Sequence, residues 1–246
     1  MVNVFEREFE VWNQREASTE ELELSLTETG KPIFKMRDGL LYTLGSHSQA
    51  AEHILNVVTD RELEDFVEEA LKASNPYKEL RRCMPSKTPK SISNYQRNYT
   101  KFDSTQVTAD INSIGCKLSS GTTLFHGGSW PKGEIESFTT TRPLSTSFCP
   151  QVALNNALCS GKAYDADQVQ LFVLRVKNPQ SNVFVFRSSG SQLGHEKEVL
   201  FASGAVLTLR EKSMVRDDFV VNKVEEVTTK LLEKKVPAYV LKLDIS

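Results

Sequence analysis

Apolar positions along the chain follow two different periods. From about residue 46 to 116 they recur at helical spacing. Ser46 and Ser48 can cap a run in which Ala51, Ile54, Leu55 and Val58 share one face, because residues three and four apart stack on the same side of a helix. Asp60 then caps RELEDFVEEALKA, where Leu63, Phe66, Val67 and Leu71 repeat the spacing. Asn75-Pro76 ends this helix, and Pro85-Ser86-Lys87-Thr88-Pro89 reads as a loop. SISNYQRNYTKF and TADINSIGCKL predict two more helices, the second with Ile111 and Ile114 facing inward.

From Thr122 onward the period shortens to that of strands. TTLFHGG is an apolar strand ending at a glycine pair. VQLFVLRV (169–176) is a near-continuous apolar run, and Lys177-Asn178-Pro179-Gln180 separates it from NVFVF (182–186), which predicts a hairpin or adjacent strands. EVLFASGAVLTLRE predicts two strands broken at Ser203-Gly204. AYVLKLDI sets Tyr239, Leu241, Leu243 and Ile245 against Val240, Lys242 and Asp244, the alternation of a half-buried strand. Between these, VEEVTTKLLEKK reads as a helix. The class is α+β, a helical N-terminal region in front of a β-rich core.

Composition narrows the partners. With 246 residues the chain is one large domain or two small ones, long enough to bury a core without metals or disulfides. Its 30 basic and 32 acidic side chains leave a net charge of -2, which gives no basis for non-specific attraction to nucleic acid or to a membrane surface. Lys78, Arg81 and Arg82 read as a solvated helix face. Cys83, Cys116, Cys149 and Cys159 lack CxxC spacing and a histidine at a ligand interval, so no metal is expected and the thiols read as reduced. MVNVFEREFE has no apolar core of a signal peptide, and no run reaches the ~18 apolar residues of a membrane span. The expected working compartment is a cytosol, with secretion by a route that needs no cleaved signal left open.

Three segments of the β region carry polar groups that a plain core would not require. Thr122 to Gly128 ends in His126-Gly127-Gly128, and glycine lets a ligand approach the backbone closely. Pro143 to Phe148 contains Ser145, Thr146 and Ser147, and alternation puts the two serines on one face. Gly194 to Gly204 contains Glu196 and Glu198, an i, i+2 pair immediately before an apolar strand that projects to one face and sits close together. Like charges so close raise one pKa, which a fold keeps for chemistry or for solvent.

In order and spacing, Phe125-His126-Gly127, Ser145-Thr146-Ser147 and Glu196-Lys197-Glu198 resemble the mono-ADP-ribosyltransferase family, whose Arg/Ser/Glu class has an aromatic-Arg-Gly strand end, a Ser-Thr-Ser strand and a Glu-x-Glu strand. The similarity covers about 90 to 246. It therefore implies a catalytic domain over 91–246 and a helical region over 1–90 available to bind a target. The class has arginine where this chain has His126; the diphtheria-toxin-like class has histidine there but follows it with tyrosines.

The resemblance implies an ADP-ribosyltransferase-like split β-sandwich and NAD as a substrate, with ADP-ribose transferred to a target-protein side chain. Arginine is favoured as acceptor over serine or threonine, and a bacterial effector, toxin or phage enzyme is the context. Glu198 would stabilise the transition state, Glu196 would position or deprotonate the acceptor, and Ser145 would hold Glu198 and the ribose. His126, Gly127, Thr146, Ser147 and Phe148 would line the dinucleotide site, with Phe148 or Phe138 stacking on nicotinamide. Arg187 to Gly194 occupies the place of the family's target-recognition turn. An NAD glycohydrolase and a non-catalytic binding protein that keeps the fold are the competing expectations.

Overall fold

The computed structural model describes residues 1–98, 101–133, 135–187, 196–225 and 229–246. By contacts the chain forms two compact units, Phe5–Ser46 and Met1–Val4 with His47–Ser246.

The smaller unit is a strand β1 (Phe9–Glu16), a helix α1 (Thr19–Thr29) and a strand β2 (Lys35–Leu44). Ser18 and Glu21 close a capping box at the start of α1, and Gly30, at φ 71, ends it in the left-handed conformation that glycine adopts without strain. β1 and β2 pair antiparallel from Phe9↔Leu44 to Glu16↔Lys35. The helical character expected of residues 1–90 is thus interrupted here. FEVW and LLYTL carry aromatic and β-branched side chains suited to a pleated pair.

In the larger unit the helices come first: α2 (His47–Val57), α3 (Arg61–Ala73), α4 (Asn75–Arg82), α5 (Lys90–Arg97) and α6 (Ser104–Ile114). Asp60 caps α3 by accepting from the Leu63 amide, and Leu63, Phe66, Val67 and Leu71 are buried, as their spacing predicts. The break after α3 comes one residue earlier than Asn75-Pro76: Ser74 leaves the helical region, and its side chain caps α4 by accepting from Tyr77. Ile111 of α6 is buried, while Ile114 is half-exposed.

The remaining elements are β3 (Thr123–Gly127), β4 (Ser137–Thr139), β5 (Leu144–Ser147), α7 (Pro150–Leu158), α8 (Lys162–Ala166), β6 (Val169–Val176), β7 (Val183–Val185), β8 (Glu198–Phe201), β9 (Val206–Val224) and β10 (Leu231–Ile245). Among the described residues they form one eight-stranded sheet in the order β4-β9-β10-β6-β3-β5-β8-β7. β6 runs parallel to β10 and antiparallel to β3. Seven of its eight residues are buried, which is why its sequence reads as a continuous apolar run rather than an alternating one. The α+β class is as the pattern predicts.

One helix expected from the sequence is a strand. Of VEEVTTKLLEKK, Val224 ends β9 and residues 231–235 open β10, paired from Leu231↔Val224 to Lys235↔Val220. Thr229 sits at φ 54, and the Glu225 amide donates to the Lys230 carbonyl at 2.9 Å, one step beyond the Leu231↔Val224 pair. The Leu, Glu and Lys that favour a helix are outweighed by a ladder already laid down by β9.

Candidate active site

β3, β5 and β8 are neighbours in the sheet and bring the three motif segments together. Ser147 faces Glu198 across the β5–β8 ladder, which makes Ser145 its diagonal neighbour on the same face. Ser145 Oγ donates to Glu198 Oε1 at 2.6 Å. The second oxygen, Oε2, accepts from Gln96 Nε2 of α5 at 3.1 Å. The Glu198 residue is only 4% exposed. Burial pushes its carboxyl up to about 7, with the charge of Glu196 adding to the rise, while the bonds from Ser145 and Gln96 oppose it.

Backbone bonds fix the segment around that carboxylate. Ser147 Oγ donates to the Glu196 carbonyl at 2.6 Å, and the Phe186 amide donates to the Glu198 carbonyl at 3.0 Å. Thr146 points the other way and donates to the Val199 carbonyl at 2.7 Å. The strand does not run through both glutamates, however. β8 begins at Glu198, and Lys197 lies at φ 50, in the left-handed region. Glu196 therefore reaches its place through a turn rather than by strand alternation, and it is half-exposed. The buried Lys197 sends its ammonium to Glu68 of α3, with Nζ to Oε2 at 3.8 Å.

His126 closes the gap between β3 and β5. The register between these strands is Phe125↔Ser147, and beyond it the Ser145 carbonyl is met by the ring of His126, Nδ1 to O at 2.7 Å. A carbonyl only accepts, so Nδ1 carries the proton. Burial holds the ring's pKa down to about 4, so the imidazole is neutral at pH 7 and Nε2 presents a lone pair. The glycines after it have packing reasons of their own. A Cβ at Gly127 would strike the Ala153 carbonyl and Ala157 of α7, and one at Gly128 would strike His126 Nε2.

Both candidate stacking rings make aromatic contacts within the chain. Phe148 is buried with its ring edge-on to Tyr77 at 5.7 Å. Phe138 lies on β4, at the opposite end of the sheet order from β8, with its ring 5.0 Å from Trp130. The expected target-recognition turn lies, apart from Arg187, outside the described residues. The sequence reading missed Gln96. Its signal is a polar residue on the side of α5 where Ile92 and Tyr95 are buried. Among the described residues no helix is long and apolar enough to cross a membrane.

The chain is similar in fold to bacterial ADP-ribosylating toxins. One is BECa, from a binary enterotoxin of C. perfringens, solved with NADH, at 11% identity and a TM-score of 0.44 over 74% of this chain and 48% of that one. The chain thus spans about half the length of BECa. A second is the Vis toxin, an ADP-ribosyltransferase from Vibrio splendidus, at 15% identity and a TM-score of 0.34, covering 81% of this chain and 84% of that one. A third is exoenzyme S from Pseudomonas aeruginosa, in complex with human 14-3-3 protein beta and bound to carba-NAD. It has 13% identity and a TM-score of 0.33, covering 80% and 82%. No family model matches the chain, and no curated protein matches it.

Proposed function

We propose that this chain is a mono-ADP-ribosyltransferase that cleaves NAD at the bond between nicotinamide and ribose. The observation that carries the reading is the buried Glu198 carboxylate, held by Ser145 Oγ at 2.6 Å beside His126 at the end of β3. Cleavage of an N-glycosidic bond passes through an oxocarbenium-like state, which a nearby oriented carboxylate stabilises most strongly in a site shielded from water. Glu198 accepts the ribose 2′-hydroxyl and faces the developing positive charge, and Ser145 keeps the carboxylate from turning away.

His126 works differently from the arginine it replaces. Arginine donates a fork of bonds to phosphate. A neutral imidazole with its proton on Nδ1 offers only an acceptor at Nε2, which suits a ribose hydroxyl and not a phosphate oxygen. Gly127 presents its backbone to the nicotinamide carboxamide, on the side of β3 where the ladder to β5 gives out. Thr146, Ser147 and Phe148 shape the strand behind these contacts. Glu196 positions or deprotonates the incoming acceptor. That acceptor is a side chain of a target protein, arginine ahead of serine or threonine, in a cell reached by a secreted effector or toxin.

Incubation with NAD tests the reading directly. Nicotinamide release is expected from the wild type, with a loss of about a hundredfold or more in Glu198→Gln. No release from the wild type would leave a binding protein instead. Glu196→Gln is expected to lower labelling of the target far more than NAD hydrolysis, whereas equal losses would count against its role and favour the glycohydrolase.

A further inference from the structure

Helix α5 buries Ile92 and Tyr95. Gln96, four residues beyond Ile92, falls on the same side of the helix, where packing alone would place another apolar group. Its amide instead joins two distant parts of the chain, with Nε2 3.1 Å from Glu198 Oε2. The helix that carries it is fastened on the side of α6. Tyr95 stands edge-on to Phe102 at 4.7 Å, and the Arg142 guanidinium lies 4.9 Å from the Phe102 ring centre. The Ser91 hydroxyl donates to Asp110, which also accepts from Gln106 Nε2 at 2.8 Å. Gln96 is thus presented to the carboxylate by an anchored helix.

We propose that Gln96 is a positioning residue of this site, a neutral donor that holds the second oxygen of Glu198 in the orientation set by Ser145. The proposal rests on the reading of Glu198 as the carboxylate that acts on NAD. With one donor on each oxygen the carboxylate cannot rotate freely, and each oxygen keeps a lone pair for the substrate. A donor also favours the charged form in a buried setting, and an amide does so without the net charge that would tie the carboxylate into an ion pair.

Among the described residues few charges compete for control of this group. Glu196 pushes Glu198 toward protonation. The flanking strands, LSTS in β5 and VFV in β7, contribute no ionisable side chain. α5 carries Lys90 and Arg97 at its two ends. Lys197 is engaged by Glu68, and His126, on the far side of Ser145, is held neutral by burial.

The test is a carbon-13 NMR titration of the Glu198 side chain in the full-length protein without NAD, assigned by its loss in Glu198→Gln. Gln96→Leu is expected to move the midpoint to higher pH, and Gln96→Lys to move it lower. A defect of packing would not reverse sign between the two, and if the leucine variant fails to fold, the lysine variant still reads the direction. Midpoints equal to the wild type would overturn the proposal. In assays, Gln96→Leu is expected to lose roughly fivefold or more of nicotinamide release at pH 7. The loss should fall on kcat rather than on KM and recover as the pH is raised. If the titrations shift in opposite directions but no form releases nicotinamide, the NAD reading fails and the positioning stands. If release depends on Glu198 but the titrations do not move, the positioning fails and the NAD reading stands.

Discussion

At the scale of one residue, Glu198 is a carboxyl group whose burial sets two opposed requirements. The proposed chemistry needs it charged, and the surroundings favour the acid, which places its pKa at about 7. Nicotinamide release is therefore expected to rise through neutral pH along a limb set by this group. The same burial has a consequence for stability. Between the ordinary carboxylate range and about 7 the folded protein holds a proton that the unfolded chain has released. Stability from this group is thus greatest at low pH and falls as pH rises through that window. Above it the penalty is constant, on the order of 3 kcal/mol. Glu198→Gln removes the penalty. Its thermal midpoint should lie several degrees above that of the wild type at pH 8 and equal to it at pH 4. An equal midpoint at pH 8 would mean that the carboxylate is better solvated than its surroundings indicate.

At the scale of elements, the sequence was most legible where a side-chain period and a turn signal agreed. The Asp60 cap and the Leu63–Leu71 stripe predict α3, and the unbroken apolar run 169–176 predicts β6, because each pattern has one physical reading. Residues 231–235 were opaque because their composition favours a helix while their partner strand β9 decides the outcome. Two features of the site were hidden for a similar reason. Lys197 takes a left-handed backbone just before β8, and Gln96 meets Glu198 only once α5 is docked. Gly127 has a packing reason to be glycine that its place at a strand end does not reveal: its missing Cβ makes room for α7. Gly127→Ala is accordingly expected to cost about 1–3 kcal/mol in denaturant unfolding, through displacement of α7 from β3. A neutral result would show that the helix can give way there.

For the whole molecule, the histidines bias stability with pH in the opposite sense to Glu198. Burial holds both His47 and His126 down to about 4. The unfolded chain takes up these protons near the ordinary histidine value and the folded chain does not, so stability is lost as pH falls from about 6.5 toward 4. Glu198 offsets part of that loss over the same range. Denaturant midpoints measured across it should decline in the wild type and decline more steeply in Glu198→Gln. A flat profile in both would mean that the two imidazoles protonate freely in the native state.

The position of β10 within the sheet has a bearing on how the protein comes into being. β3, β5, β6 and β8 are all synthesised before it, yet β10 pairs along the whole of β6. During translation β6 emerges with one edge open and must wait for a strand that the ribosome has not yet made. Until then that open edge is a template on which another strand could pair, so β6 is the part of the sheet most exposed to misassembly during synthesis.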